Sequence, residues 1–142
     1  MSAVRVLVVD DFESFRRLVC TVLEKEQSVQ VVGEASDGLE ALQKIEKMQP
    51  DVILLDIALP KLNGIETARQ IRKIAPECKI IFLTLERNPE VVRAALASGG
   101  LGYVVKVDIA TELMAAVRTV IHGERFVSSC LSGYDSNEPP GS

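Results

Sequence analysis

The chain has no tryptophan, a single histidine and only 4% aromatic residues, so it has little material for a platform on which nucleic-acid bases could stack. Positive charge is not in excess either: 16 Lys and Arg stand against 20 Asp and Glu, a net charge of -4. Such a chain is a poor polyanion binder, and no direct nucleic-acid binding is expected. No apolar run approaches the roughly 18 residues of a membrane span, and the opening MSAVRVLVVDD lacks a signal-peptide layout. The expected compartment is the cytoplasm, with no membrane partner. The three cysteines, Cys20, Cys78 and Cys130, are far apart and form no CxxC pair or Cys/His cluster. A structural metal centre is therefore not expected, and Cys20 and Cys78 read as small apolar residues in or near the core.

What is present is enough for one ordinary domain: 142 residues, 47% hydrophobic and 25% charged, fit a single folded unit and not a disordered chain. Five short aliphatic runs alternate with five stretches of helical periodicity. The predicted strands cover Val4–Val9, Val29–Val32 continuing toward Ala35, Asp51–Leu55, Lys79–Thr84 and Leu101–Val105. Between them, apolar residues recur at helical spacing from Phe12 to Lys25, after the Ser36-Asp37-Gly38 turn, from Gly64 to Pro76, from Pro89 to Ser98, and over Ile109–Ile121. Strict alternation of this kind implies a mostly parallel, doubly wound three-layer α/β sheet buried on both faces. Periodicity does not give the strand order. The polar segment from Ser128, ending EPPGS, reads as an unpacked tail or truncated linker over 128–142, following a domain over 1–127.

In a parallel sheet the strand carboxyl ends share one edge, where open α/β proteins place their chemistry. The runs deliver Asp10 and Asp11, Asp56, Thr84 and Lys106 to that edge. Each taken alone has a plainer reading: a strand-end Asp is often a loop or helix-cap residue, Thr84 a simple strand terminus, and Lys106 a solvated surface charge. Together their chemistry is complementary. Three carboxylates kept ionised at one place call for a cation, and hard oxygen ligands suit Mg2+. Lys106 adds a point charge suited to a phosphoryl oxygen, and Thr84 a hydroxyl donor.

The segments VLVVDD, LLDIALPKLNG, IIFLT and GLGYVVK resemble, in order and spacing, the signature segments of response-regulator receiver domains, and the resemblance covers residues 4 to 122. Pro60, Gly64 and Asn63 fit the family's loop. GYVVKVD followed by a helix and HGERFVS is most similar to receivers of the NarL/FixJ type, which precede a helix-turn-helix output domain; no such domain follows within the 142 residues. The resemblance implies the flavodoxin-like strand order 2-1-3-4-5, an order that general principles also attach to this fold. It implies that Asp56 accepts a phosphoryl group from a sensor histidine kinase or phosphotransfer protein. It further implies that Asp10, Asp11, Asp56 and the Ala58 carbonyl hold Mg2+, with Asp10 acting mainly through metal-bound water. Thr84 and Lys106 would contact the phosphoryl oxygens, and Tyr103 would rotate inward as Thr84 moves. Phe12, Phe15 and Leu18 are candidate partner contacts, although Leu18 fits the core equally, and dimerisation through the last helix is plausible.

This sequence departs from the family at Leu85, where a small residue is usual after the switch Thr, and at Val107, where Pro is common after the Lys. Glu13 and Glu86 flank the pocket and either orient water or face solvent. Two other functions remain in play. A Mg2+-dependent phosphohydrolase of the haloacid dehalogenase type needs an acid/base carboxylate two positions beyond the nucleophile, where this chain has Ala58. A receiver-like interaction domain that is never phosphorylated finds support only in Leu85.

Overall fold

The aliphatic runs close as strands because Val, Ile and Leu at alternate positions supply an apolar face to each side of the sheet. The computed structural model describes residues 3–134. Its strands are β1 (Val4–Val9), β2 (Val29–Ala35), β3 (Val52–Leu55), β4 (Lys79–Thr84), β5 (Gly102–Val105) and β6 (Phe126–Val127). They are interleaved with α1 (Glu13–Glu24), α2 (Gly38–Met48), α3 (Gly64–Ile74), α4 (Pro89–Ala97) and α5 (Ile109–Ile121). The sheet runs β2-β1-β3-β4-β5-β6, with every neighbouring pair parallel.

Alternate side chains feed two apolar layers. Leu7, Val9, Ile53, Leu55, Ile80, Phe82, Tyr103 and Val105 pack under α2, α3 and α4 through Ile45, Ala68, Ile71, Val92 and Ala95. The residues between them, including Val6, Val8, Leu54, Ile81, Leu83 and Val104, meet Val19 and Leu23 of α1 and Leu113, Val117 and Val120 of α5. Fully burying each Val, Leu, Ile or Phe among them contributes about 1.5–3 kcal/mol. Helix starts are set locally: Asp37, Asn63 and Asn88 accept from the amides of Glu40, Glu66 and Glu90 at 2.8, 2.9 and 2.9 Å. Pro89 opens α4, where its missing N–H costs nothing.

The strand register decides which residues meet at the carboxyl edge. Val9 lies opposite Leu55, so the chain leaves β1 and β3 at the same level and Asp10 and Asp56 become neighbours. Thr84 lies opposite Val105, which sets Lys106 one residue beyond it.

Two expectations are corrected. A sixth strand, β6, pairs with β5, so the order 2-1-3-4-5 holds with an added edge strand. The chain from Ser128 is not unpacked at its start: Ser128 is fully buried and Leu131 joins the core under α4. Polar composition misled there because the Ser128 hydroxyl finds buried partners. The remainder of the expected tail, 135–142, lies outside the described residues. Of the two possibilities for Leu18, the core is excluded, since it is 52% exposed.

Candidate functional site

Asp10 is 2% exposed, Asp56 5% and Thr84 3%; for the two carboxylates such burial is unusual and is sustained by pairing. The pairing is with one cation. Lys106 Nζ lies 2.6 Å from Asp10 Oδ2 and 3.1 Å from Asp56 Oδ2. Its ammonium also sits 4.3 Å from the centroid of the Phe15 ring, an electrostatic contact with the ring face that holds the lysine from below.

One lysine shared between two carboxylates leaves a charge imbalance. Burial pushes the Asp56 carboxyl above its ordinary value, an upward effect that the Lys106 charge and hydrogen bond oppose and the Asp10 charge reinforces. Burial alone would lower Lys106, but its hydrogen bond to Asp10 and the charges of Asp56 and Asp10 outweigh it and raise the ammonium. Both directions follow from the same arrangement: the lysine has two anionic partners, whereas each carboxylate has half of a cationic one.

The backbone fixes the carboxylates. The Phe12 amide donates to Asp10 Oδ1 at 2.8 Å and the Ala58 amide to Asp56 Oδ1 at 3.3 Å. Behind Asp10, Arg16 donates to the Asp10 carbonyl at 2.7 Å and pairs with Glu34 at 3.0 Å. The loop after Asp56 folds back so closely that a Cβ at Gly64 would lie 2.1 Å from the Asp56 carbonyl oxygen, and the Gly64 amide donates to Ile57 O at 2.8 Å. Only glycine permits that approach.

Asp11 is exposed, yet one oxygen from each of Asp10, Asp11 and Asp56 lies within 4.8 Å of the other two. Three hard oxygen donors at that spacing, with their mutual repulsion incompletely offset by one lysine, fit a divalent cation of the Mg2+ kind. On the far side, Thr84 Oγ1 accepts from the Glu86 amide at 3.3 Å, and the Glu86 carbonyl accepts from the Tyr103 hydroxyl at 2.7 Å. Tyr103 is fully buried, inside the sheet face, with its ring 6.3 Å from that of Phe82. Burial, with the charges of Glu86 and Asp56, raises its phenol.

The edge therefore gathers Asp10, Asp11, Asp56 and Lys106 directly and places Thr84 beside them at the end of β4. Glu13 pairs with Arg17 at 3.5 Å and the exposed Glu86 carboxylate accepts from the Asn88 amide at 3.0 Å, so both belong to the surface. Phe12, Leu85 and Val107 stand 66, 67 and 66% exposed, each one or two residues past a site residue. Phe15 and Arg16 have structural contacts with the site that the sequence did not reveal. Phe15 was an expected partner contact, and Arg16 lay off the apolar stripe without a pattern to mark it.

A doubly wound parallel sheet whose carboxyl edge carries a lysine-bridged acidic pocket defines a class of α/β domain shared by many regulators. Residues 6–118 match the response regulator receiver domain family, and the chain belongs to it. Among curated relatives, the transcriptional regulatory protein DegU of Brevibacillus brevis is 34% identical over 124 residues, covering 87% of this chain and 52% of that one. The transcriptional regulatory protein LiaR of Bacillus subtilis (strain 168) is 35% identical over 130 residues, covering 92% and 62%. The chain thus spans between about half and three-fifths of the length of these relatives. Among solved structures, the receiver domain of the putative response regulator NarL from Mycobacterium tuberculosis superposes with a TM-score of 0.83 at 35% identity, over 87% of this chain and 100% of that one. A two-component response regulator of the LuxR family from Aurantimonas sp. SI85-9A1 gives 0.88 at 30% identity, over 92% and 94%. Among the described residues no helix is long and apolar enough to cross a membrane.

Proposed function

We propose that this chain is a phosphorylation-activated switch in which Asp56 accepts a phosphoryl group. A carboxylate oxygen of Asp56 attacks phosphorus in line, forming a P–O bond as the P–N bond of a partner's phosphohistidine breaks. The observation that carries this reading is the single lysine shared by Asp10 and Asp56: a buried, incompletely neutralised carboxylate pair suits a divalent cation, and the ammonium beside it suits an anionic phosphoryl group. Asp10, Asp11, Asp56 and the Ala58 carbonyl are the residues that would hold Mg2+, which when bound supplies positive charge against the build-up on the transferring group. Lys106 then leaves Asp56 to pair with one phosphoryl oxygen, and Thr84 turns from the Glu86 amide to donate to another.

Thr84 and Tyr103 meet the same residue, Glu86, so a turn of Thr84 is transmitted to the loop that Tyr103 anchors and to the α4, β5 and α5 face beyond it. The donor is a sensor histidine kinase or phosphotransfer protein in the cytoplasm, and the altered face serves a partner or a second copy of the chain. The isolated receiver domain of RcsB from Salmonella enterica serovar Typhimurium, 28% identical with a TM-score of 0.86 over 92% of this chain and 97% of that one, was solved in the presence of phosphomimetic BeF3-. That relative supports the same chemistry here. The names of DegU and LiaR support transcriptional regulation as the output of the full-length protein. Ala58, which offers no acid/base carboxylate at its position, disfavours turnover of a metabolite.

Incubation with Mg2+ and acetyl phosphate, read by intact mass, tests this proposal. One added phosphoryl group is expected in wild type and none in Asp56→Asn. An unlabelled wild type beside a labelled control receiver would contradict it.

A further inference from the structure

The composition of the segment from Ser128 reads as unpacked, yet its first residue delivers a completely buried hydroxyl to the end of β5. The Ser128 amide donates to the Tyr103 carbonyl at 2.9 Å. Ser128 Oγ accepts from the Val105 amide at 2.9 Å, and its own proton goes to Glu112 Oε1 at 2.6 Å. The other oxygen of Glu112 accepts from the Ser129 amide and hydroxyl at 3.1 and 2.9 Å. Val105 is the residue immediately before Lys106. It is the last residue of β5, and β6 beside it stops at Val127, so the Ser128 hydroxyl takes the N–H that a longer β6 would have met.

We propose that Ser128 is a positioning residue for Lys106, oriented by Glu112, so that its hydroxyl, accepting from the Val105 amide, holds the lysine where it reaches both Asp10 and Asp56. This rests on the phosphoacceptor reading of Asp56 for its effect on rate, though not for its effect on the lysine. The physical case is directional. Because Glu112 takes the hydroxyl proton, a lone pair of Ser128 is left to face the Val105 N–H, and a buried amide without that acceptor would be driven to move in search of another. Lys106 follows at once in the 3-10 turn over Lys106–Asp108, so a shift of its main chain moves the base of the side chain. The two carboxylates it bridges directly follow β1 and β3, elements with which Ser128 makes no hydrogen bond. Coupling is reciprocal: whatever engages Lys106 at the pocket also favours the docked segment.

Three versions of the full chain decide the matter: wild type, Ser128→Ala and Leu131→Ala. The last loses core contacts of the same segment and leaves the β5 hydrogen bond untouched, so it matches the loss of stability without the proposed cause. The rate constant of labelling by acetyl phosphate with Mg2+ is expected to fall about tenfold in Ser128→Ala, as misplacement of a reacting group predicts, and to stay within about twofold of wild type in Leu131→Ala. Equal slowing in both variants, or no slowing in Ser128→Ala, overturns the proposal. The second readout needs no phosphoryl chemistry: acylation of the Lys106 amine by an N-hydroxysuccinimide ester, mapped by peptide mass. Faster acylation of Lys106 in Ser128→Ala than in Leu131→Ala is expected, and equal rates overturn the positioning role. If wild type takes no phosphoryl group, the phosphoacceptor reading fails by itself, and the acylation comparison still decides the role of Ser128.

Discussion

The two edges of the same sheet both carry strand-end carboxylates and use them differently. At the amino edge Asp51 is exposed; its carboxylate accepts from the Arg5 amide at 2.8 Å, its main chain bonds Arg5 and Lys79, and Arg5 reaches on to the Gln49 carbonyl at 2.9 Å. Those contacts align β1, β3 and β4 and leave the Asp51 charge facing solvent. At the carboxyl edge Asp10 and Asp56 are out of water, facing each other across a single ammonium. Residue type does not separate the two edges. What separates them is burial and convergence: a hydrated carboxylate with backbone donors is a structural tie, whereas two buried ones with one shared cation hold an unmet negative charge that fits a divalent cation.

The largest difference between the edges is expected in stability. Lys106→Met leaves two buried carboxylates without a cation and is expected to cost about 3 kcal/mol in urea unfolding at neutral pH. Asp51→Ala removes an exposed acceptor and is expected to cost less than about 1 kcal/mol. Equal costs would remove the distinction between the edges.

Next in size is the response to pH. The Asp56 carboxyl is raised above 3.8 in the folded state, so the native chain holds that proton more tightly than the unfolded one. The associated stability is present below the unfolded value and lost as pH rises through the folded value. Asp56→Asn should therefore be more stable than wild type at neutral pH without divalent cations, with an advantage that shrinks as pH falls through the raised pKa. An advantage that grew on acidification would contradict the burial argument. Mg2+ sharpens the same contrast: it should raise the thermal midpoint of wild type, raise that of Asp56→Asn less, and leave the difference made by Asp51→Ala unchanged. The smallest effect concerns the pocket's rim, where Leu85→Ala is expected to shorten the aspartyl-phosphate half-life; an unchanged half-life would mean that this side chain, 67% exposed, does not shield the site.

The fold was legible where the physics is periodic. β4 over Lys79–Thr84 and α5 over Ile109–Ile121 have the bounds that the apolar pattern predicted, because each buries a continuous face. The site's four charged residues were legible because each follows an aliphatic run, and parallel strands bring such positions to one edge. β6 was not legible: two residues, Phe126 and Val127, cannot display a period, and they form a strand only because the free edge of β5 is available. Ser128 was hidden for a related reason. Its partners, Val105 and Glu112, lie 23 and 16 positions away in sequence, so nothing local distinguished a buried, satisfied hydroxyl from a solvated one. Phe15 shows the same limit, since its place on the α1 stripe said that it was apolar and not that a lysine from position 106 rests on its ring.

The central claim is that Asp56, and no other carboxylate of the pocket, accepts the phosphoryl group. Labelling with acetyl phosphate and Mg2+ followed by borohydride reduction converts an aspartyl phosphate to homoserine, which peptide sequencing by mass spectrometry locates. Homoserine at position 56 alone is the predicted result. Homoserine at position 10 or 11, or none in a chain that has gained a phosphoryl group, would contradict it.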